Sequence, residues 1–193
     1  MTKLLLVRHG ETDWNLGDRF QGHADPPLNE TGRAQARELA DSLAGRSFAA
    51  VYSSPLRRAF ETAEIVAAPH GLEAVPVEGL REVDVGSWQG LTRDEIEQRF
   101  PDHFRRWLEY REGWEDGETY GQMSSRVVAT LVELAERHDG EEALVVTHGG
   151  PIRAAFASAH GISHSEARRN GPAVGNCFLA EFGVERGALR QLD

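Results

Sequence analysis

One cysteine in 193 residues, Cys177, leaves no intramolecular disulfide to staple the fold and fits a reducing compartment. Positive charge is also short. Against 31 Asp and Glu stand 21 Lys and Arg, a formal net charge of −10. This argues against a nucleic-acid or anionic-membrane partner, so any basic patch should be local and aimed at a small anion. No apolar run approaches ~18 residues, and Arg8 interrupts Leu4 to Val7 far too early for a signal peptide, so a soluble, cytoplasmic chain is expected. Signatures of metal and nucleotide sites are missing: there is no His-Glu-x-x-His, no Cys-x-x-Cys and no Gly-x-x-x-x-Gly-Lys-Ser/Thr. Cys177 is followed by Phe178-Leu179-Ala180-Glu181-Phe182 and not by the arginine that thiolate phosphate chemistry needs, so it reads as a core residue. No repeat, linker or low-complexity stretch divides the chain, and its length predicts one domain over residues 1–193.

What is present is a series of short apolar runs that end in chemistry. Leu4 to Val7 is too short for a helix and reads as a strand buried on both faces, stopping at Arg8-His9-Gly10. Asn29 caps a helix carrying Ala36, Leu39, Ala40 and Leu43, which runs to Gly45. Ala49 to Tyr52 is a second strand. It ends in Ser53-Ser54-Pro55, and Pro55 opens a helix with Arg57 and Arg58 in its first turn. Glu73 to Val77 reads as a third strand, residues 80–90 as a glycine-punctuated loop containing Glu82, and residues 92–111 as one or two helices broken at Pro101. Gly117-Glu118-Thr119 precedes a long amphipathic helix with Val127, Val128, Leu131, Leu134 and Ala135 on one stripe. Ala143 to Thr147 is the next buried strand, with His148-Gly149-Gly150-Pro151 at its end opening a helix from Ile152 to about Ala159. Residues 173–182 and 188–192 read as closing strands. This alternation predicts an α/β fold, a three-layer α/β/α sandwich with a mostly parallel central sheet.

In such a sheet the carboxyl ends of the parallel strands share one edge, so Arg8-His9, Arg58 and His148 can meet there. Two His, two Arg, an amide and a carboxylate suit phosphoryl transfer, which needs donors around three equatorial oxygens, an in-line nucleophile and a proton for the leaving oxygen. His9 is the candidate nucleophile: a neutral imidazole nitrogen can attack phosphorus when the other nitrogen donates to a fixed acceptor, and Gly10 would let the backbone approach the phosphate. Arg8 and Arg58 would clamp the oxygens, Asn15 would add an amide donor, and His148 would donate to the moving phosphoryl group. Glu82 is the candidate general acid for the departing alkoxide. Taken singly, a strand-end histidine, a first-turn arginine or a loop glutamate is more often structural or solvated. The remaining histidines, 23, 70, 103, 138, 160 and 164, read as loop or surface residues.

The chain resembles the histidine phosphatases of the phosphoglycerate-mutase-like superfamily through five blocks in order. These are Leu-Val-Arg-His-Gly-Glu-Thr with Asn15, Phe20-Gln21-Gly22 and Pro27-Leu28; Ser53-Ser54-Pro55-Leu56-x-Arg58-Ala59-x-x-Thr62-Ala63; Leu80-x-Glu82 with Gly86-x-Trp88-x-Gly90; Gly117-Glu118-Thr119; and Val145-Val146-Thr147-His148-Gly149-Gly150. The resemblance implies an α/β/α sandwich, a phosphohistidine intermediate on His9, and a phosphate pocket of Arg8, Asn15, Arg58 and His148. It further implies contacts from Gln21, Gly22 and the Gly149 backbone, Glu82 as proton donor, and no metal or other cofactor. Mutases of this type follow the acidic residue with Arg-x-Tyr-Gly, whereas Glu82 is followed by Val83-Asp84-Val85-Gly86, without the cation that would help hold a second acidic group. A phosphatase acting on small phosphate monoesters is therefore expected. A cofactor-dependent phosphoglycerate mutase and a non-catalytic phosphate-binding module are the alternatives. The basic and aromatic segment Phe104-Arg105-Arg106-Trp107 with Tyr110, Arg111 and Trp114 reads either as part of a substrate lid over residues 91–120 or as a helix pair packed in the core.

Overall fold

The computed structural model describes residues 1–192. Four strands run parallel, β1 (Thr2–Arg8), β2 (Ala50–Ser53), β3 (Ala74–Pro76) and β4 (Glu142–Thr147). Two more, β5 (Leu179–Glu185) and β6 (Ala188–Gln191), add antiparallel on the far side of β1. The sheet order is β3-β2-β4-β1-β5-β6, which puts β1 beside β4 at the centre although they lie far apart in sequence.

The apolar run of β1 splits by alternation into two cores, as a sheet covered on both faces demands. Leu4 and Leu6 join Val145, Met123 and Leu131 on one side, while Leu5 and Val7 join Leu144, Val146, Leu39 and Ala63 on the other. The first face is covered by α6 (Tyr120–Glu136) and α7 (Gly149–His160), the second by α2 (Glu30–Leu43) and α3 (Arg57–Ala67). The remaining helices are short: α1 (Asp13–Leu16), α4 (Arg93–Arg99), α5 (Pro101–Leu108) and α8 (His164–Asn170). Asn29 caps α2 by accepting from the Gly32 amide at 2.8 Å, and Pro101 sits at the start of α5 where the chain breaks from α4.

Two expectations need correction. The strand expected from residue 173 starts at Leu179. Residues 171–178 form a loop in which Cys177 has φ 53° and its amide donates to the carbonyls of Arg8 and His9, at 3.1 and 3.3 Å. A second departure is α8, a helix absent from the sequence-based expectation; Ser163 caps it in a reciprocal box with Glu166. Gly10 also has a packing reason to lack a side chain. A Cβ there would lie 2.5 Å from the Gly32 carbonyl oxygen, so the glycine is required where the loop after β1 presses on the start of α2.

Candidate active site

Because β1 pairs with β4 in the register Arg8 to Thr147, the next residue of each strand arrives on the same rung. The His9 amide donates to the Thr147 carbonyl at 3.0 Å, and the rings of His9 and His148 stand 5.2 Å apart at 61°. His9 Nδ1 lies 2.7 Å from the Gly10 carbonyl. A carbonyl only accepts, so the proton is on Nδ1 and the lone pair of Nε2 is free at the cleft that His9 lines. His148, fully buried at the head of α7, has Nε2 2.7 Å from Ser54 Oγ. That hydroxyl already accepts from the Leu56 amide at 3.3 Å. With the serine donating to Nε2, the His148 proton falls on Nδ1, which is buried and has no protein partner. Burial, then the nearby Arg58, holds both imidazoles well below the ordinary histidine value, so both are neutral.

The two arginines hang from backbone carbonyls. Arg8 Nη1 donates to Val174 at 2.7 Å, while Arg58, fully buried in the first turn of α3, donates to Ala24 at 2.7 Å and Gly22 at 2.9 Å. In each the Nε–H is buried and unpartnered. Burial pulls the Arg58 guanidinium down to about 10, against the pull of Glu82 in the other direction. Asn15 uses its carbonyl end to accept from the Thr12 amide and hydroxyl and from Asn176 Nδ2, which leaves its own amide protons for the cleft that it lines. Gln21 and Gly22 line the same space, and Gly22 adopts φ 49° to turn its carbonyl to Arg58.

Glu82 faces this group from the loop after β3. Its Oε1 accepts from the Val83 amide at 2.9 Å and its Oε2 from the Gly150 amide at 3.2 Å. Gly150, next to the Gly149 expected to contribute its backbone, thus lines the cleft. Gly149 is buried beside Arg153, whose Nη1 would lie 3.0 Å from a Cβ at that position, whereas a Cβ on Gly150 would collide with Glu82 Oε1.

The cleft encloses about 250 Å3. Beyond the expected residues it gathers Arg153 from α7, His164 and Arg168 from α8, Tyr120 from α6, and a wall of Phe20, Trp107 and Trp114. The segment after Glu82 supplies no cation, but the fold brings three from elsewhere, Arg19, Arg153 and Arg168, of which Arg19 is paired with Glu95 at 3.2 Å. Arg168 lies over the rings of Trp107, Tyr110 and Tyr120 at 5.1, 5.6 and 5.0 Å, with Nη1 buried and unpartnered, and neither it nor Arg153 forms an ion pair among the described residues. Of residues 104–114 it is the tryptophans that enter the cleft; Arg105 and Arg106 pair outside it with Asp102 and Glu115. His164 is not a surface residue. It is 8% exposed, stacks on Tyr120 at 4.5 Å, and is pulled down to about 3 by burial and then by Arg168 and Arg153. The signal for α8 was in the Ser163-x-x-Glu166 spacing; which of its residues face inward was not. Among the described residues no group of three or more His, Cys, Asp or Glu side chains is placed to hold a metal ion, and no helix is long and apolar enough to cross a membrane.

These depressed histidines set a stability profile. In the unfolded chain they take a proton near pH 6.5, in the fold only well below it, so stability is full above about 6.5 and is lost as pH falls from there toward 3. His164 alone should cost about 2 kcal/mol at pH 5. Thermal unfolding across this range should show a falling Tm, with a shallower fall in His164→Phe.

Comparison with known proteins agrees with the geometry. The model of the histidine phosphatase superfamily (branch 1) matches residues 4–192. Phosphoserine phosphatase 1 of Hydrogenobacter thermophilus is 35% identical over 96% of this chain and 98% of its own length. The solved structure of YhfR from Bacillus stearothermophilus superposes with a TM-score of 0.92 at 33% identity, covering 99% of this chain and 95% of that one. The mycobacterial glucosyl-3-phosphoglycerate phosphatase, solved in complex with VO3, gives a TM-score of 0.86 at 30% identity over 98% and 96%. This chain belongs to the histidine phosphatase superfamily (branch 1) and is a phosphomonoester hydrolase.

Proposed function

We propose that the chain hydrolyses a small phosphate monoester carrying a second anionic group, without a metal ion and through a phosphohistidine on His9. The observation that carries the mechanism is the tautomer of His9: its Nδ1–H is tied to the Gly10 carbonyl, so Nε2 is a nucleophile at all but acidic pH. In the first step Nε2 bonds to phosphorus, the ester P–O bond breaks, and Glu82 gives its proton to the leaving oxygen. Arg8, Arg58, Asn15 and the Nδ1–H of His148 supply donors to the equatorial oxygens. In the second step Glu82 takes a proton from water, the hydroxide bonds to phosphorus, and the P–N bond breaks to restore His9.

The substrate class follows from charge. The phosphate takes the donors grouped at His9, which leaves Arg153 and Arg168 in the same cleft without anionic partners. A carboxylate on the alcohol portion would satisfy them, in keeping with the phosphoserine and glucosyl-3-phosphoglycerate named for relatives. A panel of phosphate monoesters with and without a carboxylate tests this by phosphate release in the presence of a chelator. Arg153→Met should raise KM about tenfold or more for the carboxylates and leave uncharged aryl phosphates nearly unchanged. Equal effects on both classes would remove the second-anion reading. A cytoplasmic setting is supported by the single cysteine, which fits a reducing compartment.

A further inference from the structure

The general acid reaches the cleft from an irregular loop, and loops do not hold a side chain in place unaided. Yet every carbonyl from residue 79 to 82 is tied by a side chain of another element. Thr147 at the end of β4 donates to Leu80 at 2.7 Å. Arg126 of α6 donates through Nη1 to Gly79 at 2.9 Å and Arg81 at 3.0 Å, and through Nη2 to Glu82 at 3.3 Å. Its two remaining N–H groups go to one carboxylate: Nε to Glu118 Oε1 at 2.9 Å and Nη2 to Glu118 Oε2 at 2.6 Å. All five guanidinium protons are thereby used, the most a planar fork can offer. Glu118 is anchored in turn, its amide donating to the Asp84 carbonyl at 2.9 Å, while Gly117 allows that approach because a Cβ there would strike the same oxygen. The loop also lies flush on α6, since a Cβ on Gly79 would collide with Thr130 one turn beyond Arg126. From the other side His23 Nε2 donates to the Glu82 carbonyl at 2.8 Å.

We infer that Arg126, locked by Glu118, is a positioning residue for the general acid: it fixes the backbone of residues 79–82 so that the Glu82 carboxyl stands over the leaving oxygen. Neither side chain lines the cleft, and Arg126 has no N–H left to offer a ligand. This also gives a task to the Gly117-Glu118-Thr119 motif, which the phosphate pocket leaves unexplained. The inference rests on the proposed role of Glu82 as acid.

The test is the dependence of kcat on the leaving group. Wild type, Glu82→Gln, Arg126→Ala, Arg126→Lys and Glu118→Gln are assayed on alkyl phosphates and on an activated aryl phosphate, whose departure needs little protonation. Arg126→Ala should lose on the order of 10²-fold in kcat on alkyl esters and less than about fivefold on the aryl ester, with KM nearly kept on both. Glu118→Gln should show the same pattern at smaller amplitude, and Arg126→Lys, with fewer donors, should recover part of the loss. Equal losses on both ester classes, or no loss in a folded Arg126→Ala, would overturn the inference. So would unfolding of both Arg126→Ala and Glu118→Gln at the assay temperature, which would make the pair a stability element only. Glu82→Gln separates the two levels. If it shows no leaving-group dependence, the acid assignment itself falls; if it does and the Arg126 variants do not, only the positioning role falls.

Discussion

His9→Asn should lower kcat on the order of 10⁴-fold or more and abolish covalent labelling, while leaving the fold and the phosphate pocket in place. Asparagine puts its Nδ2 near the position of imidazole Nδ1, so the bond to the Gly10 carbonyl can persist, but it has no counterpart of Nε2. Rapid quenching of wild type with a phosphate ester should trap a phosphoryl adduct that is stable in alkali and lost in acid, as a P–N bond requires. The variant should trap none. An adduct surviving in His9→Asn, or turnover above a few per cent of wild type, would move the nucleophile to another residue. Inorganic phosphate should still raise the Tm of the variant, because Arg8, Arg58 and His148 remain.

The second large effect is at Arg58, where function and stability should part. Arg58 is fully buried, and burial is the main influence on its guanidinium, lowering it to about 10. A cation placed so deep is costly to the empty protein, where Glu82, Asp25 and two carbonyls offset the cost only in part, and an arriving anion offsets more of it. Arg58→Met keeps much of the volume and removes the charge, at the expense of two hydrogen bonds, to Gly22 and Ala24. These opposed changes should leave unfolding stability within about 2 kcal/mol of wild type. Activity should fall by 10²- to 10³-fold in kcat/KM, on the scale of losing a preorganised donor to a transition-state oxygen. The rise in Tm caused by phosphate or vanadate should vanish. A variant within tenfold of wild-type activity would show that Arg58 is a structural post for the loop at Gly22 and Ala24.

How much of this was legible in the sequence depends on range. The parallel strands could be read because their apolar runs are short and end in Arg-His-Gly, Ser-Ser-Pro and His-Gly-Gly, and the first-turn place of Arg58 followed from Pro55. Order of blocks then identified the family. What could not be read was anything set by how two helices face each other. Arg153 falls inside a helix that was expected, but only the packing of α7 against α6 and α8 turns it to the cleft. Arg168 follows Ala167 in a polar stretch that resembles any solvated helix, and its stacking on three rings depends on where residues 107, 110 and 120 arrive. That Gly150 meets Glu82 is unreadable for a similar reason: adjacent residues on a helix point some 100° apart, and the backbone angle decides which faces the loop.

The central ladder has a consequence for how activity returns during refolding. With His9 and His148 each one step beyond the paired Arg8 and Thr147, the spacing of the imidazoles is a dimension of the sheet and no property of either loop. A slip of β1 by one residue would carry the nucleophile to the opposite side of the pleat and bring Gly10 in its place. Helix content and compactness can recover in such a misaligned species, but catalysis cannot. Regained turnover, followed beside circular dichroism, would therefore mark the moment when these two strands find their alignment.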